Sequence, residues 1–338
     1  MKTQKHILPA LMLIMALYIP GNADVLTVNN ISNTGAQYST LQAAHDAAST
    51  GDTLSIGASL TYGDLTMTKR LVIMGPGYFL GENPETQANI SSAGVNTITI
   101  NSGSEGTLIT GLRIKYYMTI NTDNITIQKN LFYSAYSAYL LTIAANVSNI
   151  IIKQNYFYST YGYKKCVDIK TNSSADISNN YMGGEGTTYT SGTVLSTNSS
   201  TVTFENNVID GSLMMNEASV SIQNNIMIKG TISGVIGSMY NNIANEGQFG
   251  SDNGNLTADM ADVFKNTGST DGQWKLSDTS PALGAGVDDV DCGMFGGITP
   301  YILSGIPGPL PAIYYLKSTG EGSESTGLQI RLKSKVRD

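Results

Sequence analysis

The amino-acid sequence predicts an all-β chain: a right-handed parallel β-helix of about nine turns, with a short N-terminal capping helix and a C-terminal strand extension. Three observations lead there. A short apolar motif centred on asparagine recurs through the middle of the chain. The residues around it alternate between apolar and polar with a period of two. The composition is poor in charge, at 13%, yet rich in glycine (36) and tyrosine (19). A helical bundle needs far more Glu, Lys and Leu, whereas uncharged polar faces and many turns suit stacked strands.

The motif reads ITIQKNLF, IIIKQNYF, ADISNNYM, VTFENNVI, VSIQNNIM and SMYNNIA. Its marker residues are Asn130, Asn155, Asn180, Asn207, Asn225 and Asn242, spaced by 25, 25, 27, 18 and 17 residues. Repeats of this length with strand-forming residues indicate a solenoid. Gly75 in LVIMGPGY and Gly111 in TLITGLRI extend the frame upstream. Three positions before each marker stand Val72, Leu108, Ile127, Ile152, Ile177, Phe204, Ile222 and Met239, all apolar. The next column, Gln128, Lys153, Ser178, Glu205, Gln223 and Tyr240, is mostly polar. Alternation held in register over successive turns is what a stacked strand requires. The asparagines have a structural task. At an inward bend, each side-chain amide can bond its equivalents in the turns above and below, about 4.8 Å away.

The ends of such a coil expose strand edges and must be covered. In YSTLQAAHDAASTGDTLSIG, Ser39 and Gln42 form a capping box, and Leu41, Ala44 and Ala48 share a helical face. Gly51-Asp52 stops the helix, and Thr53 to Ile56 begins the first strand. Upstream, Lys2 and Lys5 precede an apolar run from Ile7 to Ile19 and the small residues Gly21-Asn22-Ala23, so residues 1–23 read as a signal peptide. The run is too short, and broken by Pro9, to span a membrane. Loss of the two lysines takes the net charge from −7 to about −9, which disfavours nucleic acid as a partner. The expected organisation is signal peptide 1–23, β-helix 24–299 and extension 300–338. In the extension Ile330, Leu332 and Val336 alternate with Arg331, Lys333, Lys335 and Arg337. They form a strand with one basic face that docks on an edge or awaits another module.

The helix segment and LVIMGPGYFLG resemble the N-terminal helix and following turn of the pectin-lyase-like β-helix superfamily. SDTSPALGAGVDDVDCGMFGG (Ser277 to Gly297) resembles the stretch that closes many secreted bacterial β-helix proteins. The resemblance covers most of Leu41 to Gly297. It implies the fold and export to the extracellular space or cell surface; its activity is open, since the superfamily holds lyases, hydrolases and non-enzymes. Members that hydrolyse polygalacturonate carry Asn-Thr-Asp, a later Asp pair, Gly-His-Gly and Arg-x-Lys. Here Asn121-Thr122-Asp123 matches only the first, and the only histidines are His6 and His45. Calcium-dependent lyases of the superfamily need a carboxylate cluster and a Lys or Arg base. Asp288, Asp289 and Asp291 are the densest acidic run, where calcium is possible, and no metal or cofactor is otherwise expected. Cys166 and Cys292 lie far apart, which argues against a disulfide.

The long turns carry the candidate site. Tyr117, Tyr133, Tyr136, Tyr158, Tyr161 and Tyr163 gather there with Tyr139, and with Lys164, Lys165 and Asp168 as weak catalytic candidates. A ladder of tyrosines offers ring faces and hydroxyls to sugars, and the lysines could hold a uronate or sulfate. Plain aromatic packing beneath a long loop would read the same way. No Thr-x-Thr column is evident, which argues against ice binding. Three functions follow: a non-catalytic secreted protein, expected monomeric, that binds a polysaccharide or cell-surface glycan; a lyase cleaving a uronate polysaccharide by β-elimination; or a purely structural or adhesive β-helix.

Overall fold

The computed structural model describes residues 23–134, 139–160, 166–184, 192–308, 311–318, 320–323, 325 and 327–336. Within them strand is the dominant regular structure, and every strand pairing in the main sheet is parallel. Each strand pairs with its equivalent one repeat later. One inward column runs Leu26, Leu54, Ile73, Ile109, Ile127, Ile152, Ile177, Phe204, Ile222 and Met239. A second runs Val95, Ile114, Phe132, Phe157, Met182, Ile209, Met227 and Ala244. A third runs Leu65, Ile98, Met118, Leu141, Val167, Leu195, Leu213 and Ile232. Three stacked strand columns around one continuous apolar interior are compatible with a parallel β-helix.

The marker asparagines form the expected ladder. Asn180 is representative: its Nδ2 donates to Ile152 O (2.9 Å), Ser178 O (2.9 Å) and Asn207 Oδ1 (3.0 Å), while its Oδ1 accepts from Asn155 N (2.9 Å) and Asn155 Nδ2 (3.1 Å). The ladder begins where Leu112 N donates to Asn130 Oδ1. It continues past Asn242 to Asn255, which the motif did not reveal because only 13 residues separate the two.

Upstream, the frame moves by one residue. Val72 pairs with Leu108 and Leu108 with Thr126, so Ile73 and Ile109 face inward. Gly111, with φ of 72°, takes the left-handed position that Lys129, Gln154, Asn179, Asn206, Asn224 and Asn241 occupy in later repeats. Leu112 then stands where Asn130 stands below it. Glycine adopts that conformation without steric cost, so it belongs to the bend and not to the buried column.

Four further expectations change. The coil starts one strand earlier, with Val25–Val28 against Thr53–Ile56. Thr40, not Ser39, caps the helix Leu41–Ala47, its Oγ1 accepting from Ala43 N at 3.2 Å. Gln42 instead bonds both backbone groups of Thr66. Ser277 to Gly297 does not lie across the far end of the coil. It belongs to a segment that turns back and climbs the outside over the left-handed residues. Asn241 Nδ2 donates to Ala285 O (2.8 Å), Asn206 Nδ2 to Asp291 O (3.0 Å), Asn179 Nδ2 to Gly296 O (2.8 Å) and Gln154 Nε2 to Pro300 O (2.5 Å), while Asn224 Oδ1 accepts from Val287 N (2.8 Å). Finally, Ile330–Val336 pairs antiparallel with Pro311–Ser318 and not with a strand of the coil.

Candidate functional site

The lengthened repeats insert their extra residues at one corner, between Leu131–Ser134 and Leu141–Ile143, Tyr156–Ser159 and Val167–Ile169, and Tyr181–Gly183 and Thr193–Asn198. Tyr136, Tyr161, Tyr163, Lys164 and Lys165 lie outside the described residues. At the flank of this corner the register sets Tyr133 directly against Tyr158. Their rings stack with centroids 5.6 Å apart and planes 6° from parallel. The Arg113 guanidinium lies 5.0 Å from the centroid of the Tyr133 ring. Arg113 pairs in register with Leu131, two residues before Tyr133, so its side chain reaches diagonally onto the Tyr133–Tyr158 stack, and all three side chains are half-buried. Stacking at the strand spacing covers the faces the two rings turn to each other, so edges and hydroxyls remain as the contact surface. Arg113 Nε is buried and has no hydrogen-bond partner among the described residues, an unmet donor in an anion-binding side chain.

Tyr117 is on the same strand as Arg113 but four residues on, opposite Thr97, and is 44% exposed. Asp168 is buried on Val167–Ile169 and pairs with Lys170 at 2.5 Å. That bond is the main reason the Lys170 ammonium is held above its usual pKa, and the same ammonium lies 5.5 Å from the Tyr139 ring centroid. Asp168 thus serves as the counter-ion of Lys170. The neighbouring tyrosine column went unread in the sequence. Tyr156 and Tyr181 stack at 4.4 Å beneath the returning segment, where Trp274 stacks on Tyr181 at 4.9 Å and donates to Tyr156 Oη. Their position directly after each marker was the available signal: it repeats as Leu131, Tyr156, Tyr181, Val208 and Ile226, apolar although outward.

The remaining candidates have local tasks. Asn121 bonds Asn101, and Asp123 Oδ1 accepts from Ser148 N, so Asn121-Thr122-Asp123 is a polar turn. His45 is buried; Nε2 accepts from Thr68 N, which leaves Nδ1 to donate to Asp46. Asp291 accepts from Gly284 N, and no group of three metal-ligating side chains occurs among the described residues. Cys166 and Cys292 are buried free thiols, and burial pushes Cys292 up to about 12. The register also shows an outward threonine column, Thr66, Thr99, Thr119 and Thr142, hidden in the sequence by unequal spacing. No described helix is long and apolar enough to cross a membrane. No family model, curated protein or solved structure matches the chain.

Proposed function

We propose that the chain is an exported, right-handed parallel β-helix of the pectin-lyase-like kind, with about nine turns and the helix Leu41–Ala47 as its cap, and that it binds an acidic polysaccharide without cleaving it. The observation that carries this reading is the Arg113–Tyr133–Tyr158 cluster: two tyrosine edges at successive rungs with a half-buried guanidinium over the first ring. An extended glycan along the axis would meet hydroxyls at the strand spacing, with its uronate carboxylate or sulfate on Arg113. Tyr117, exposed on the strand that carries Arg113, extends the proposed surface; Tyr136, Tyr161, Tyr163, Lys164 and Lys165 lie outside the described residues. Asp168 is buried and held against Lys170, away from the proposed glycan surface, which favours binding over lyase chemistry.

The test is binding and turnover on a panel of uronate polysaccharides, with and without calcium. Binding without unsaturated product is expected. Arg113→Ala and Tyr158→Ala should each weaken it about tenfold, the equivalent of one charge-assisted hydrogen bond or aromatic contact. Unsaturated product would establish the lyase instead, and no binding to any member would leave the structural reading.

A further inference from the structure

The two ends of the molecule differ in chemistry. At the C-terminal end of the coil, the long strand Ile232–Tyr240 is paired along one edge only, with Ser212–Gln223. Phe249 fills the interior there, and Asn255 Nδ2 donates to Met239 O. Among the described residues no hydrogen bond reaches the outer edge of residues 232–238. The returning segment climbs the flank and leaves this edge open. Within the strand there is no proline, lysine or glutamate to blunt the edge, although Gly234, with φ of 71°, bends it between Ser233 and Val235. Acids predominate around it: residues 230–264 contain Glu246, Asp252, Asp259 and Asp262, all exposed, while the flanking Lys229 and Lys265 are each paired with an acid, Asp210 and Asp278.

The C-terminal hairpin has the opposite sign. Its strands Pro311–Ser318 and Ile330–Val336 carry Lys317, Arg331, Lys333 and Lys335 and no acid. It is moored beside the early repeats, where Ala88 N donates to Ile313 O (2.7 Å) and Lys335 pairs with Glu85 at 2.6 Å. Among the described residues Ile330–Val336 pairs with Pro311–Ser318 alone, and Ile330, Leu332 and Val336 are 61%, 50% and 57% exposed. A two-stranded hairpin buried, among its described residues, only at Ala312 gains little stability by itself and is suited to completion by a further strand.

We infer that the protein assembles head to tail, the strand Ile330–Val336 of one copy adding to the open edge at Ile232–Ser238 of the next. Backbone groups unpaired in both edges would bond, and the basic hairpin would meet the acidic rim. The two surfaces are different and lie at opposite ends, so the contact is heterologous and repeats as a run of copies, in place of the monomer expected from sequence. This inference does not depend on glycan binding.

Sedimentation velocity on the full chain tests it. Dimers, trimers and longer species should grow with protein concentration and dissolve near 1 M salt, where screening falls to about 3 Å. Two full-chain variants separate the halves of the contact: Arg331→Glu with Lys333→Glu on the hairpin, and Ser233→Lys with Ser238→Lys on the edge. Each should be monomeric alone with the parent's circular dichroism. Mixed, they retain one good edge and one good hairpin, and should give a 1:1 dimer and nothing longer. A parent chain that stays monomeric at every concentration, a closed symmetric dimer, or a mixture that does not associate would each overturn the inference. The parent's own species distribution decides the matter if either variant misfolds.

Discussion

Asparagine does two jobs in adjacent positions, and the difference is one of direction. In Asn179-Asn180, Asn206-Asn207, Asn224-Asn225 and Asn241-Asn242, the first residue has positive φ and lies at the corner; the second points inward to the ladder. Asparagine tolerates the left-handed region better than most residues, which suits the first position. At the second, the amide is valued for having both donors and an acceptor. Asn180→Ala removes the acceptor for Asn155 N and the donor to Ile152 O, leaving buried backbone groups unpaired. Each orphan costs roughly 1–3 kcal/mol, so the substitution should cost at least about 2 kcal/mol. A urea titration should show the midpoint lowered at unchanged slope. Asn179→Ala should cost less, because its bonds to Met294 O and Gly296 O fasten only the returning segment.

At the scale of elements, that returning segment is the largest departure from what the sequence conveyed. Period-two alternation and the inner asparagines could be read locally, because a strand and its bend are written in consecutive residues. The outer asparagines find their partners 44 to 117 residues away, as with Asn241 to Ala285 and Asn179 to Gly296, and nothing in a local window encodes that pairing. The site was legible to the same limit. Tyr133 and Tyr158 could be placed in one column from their common offset to the markers, whereas Arg113 could not. The one-residue shift at Gly111 turns it outward above Leu131, from where its side chain reaches the Tyr133 ring diagonally. The upper mooring of the returning segment is Asp271, fully buried, accepting from Ser304 N (2.7 Å), Tyr301 Oη (3.2 Å), Asn83 Nδ2 (2.9 Å) and Ser269 Oγ (2.9 Å). Asp271→Ala strands Ser304 N and takes one acceptor each from Asn83, Ser269 and Tyr301, which keep bonds to Ser304, Asn83 and Tyr78, and should destabilise by about 3 kcal/mol. Hydrogen exchange at Ser304 should accelerate well before that of the coil's inward strands. Uniform acceleration everywhere would show that this segment and the coil open as one unit.

Across the whole molecule, the buried hydroxyls and thiol link stability to alkaline pH. Tyr78, Tyr156, Tyr181 and Tyr301 stand in the apolar layer between the coil and the returning segment, and burial raises the pKa of each. Cys292, in the same layer, is pushed up to about 12. All five are neutral in the folded protein, while in the unfolded chain the thiol ionises near pH 8.5 and the tyrosines near pH 10. The sign follows from that difference. The stability these groups contribute is fully present below about pH 8.5 and falls as pH rises toward the folded-state values. Each group adds a slope of about 1.4 kcal/mol per pH unit once its unfolded form is ionised and its folded form is not. Five groups acting together make the loss steep above about pH 10. The four buried tyrosines should ionise only in step with loss of the β-sheet circular dichroism signal. Tyrosines that all ionise near their ordinary value while the sheet signal persists would mean that the layer between coil and returning segment admits water.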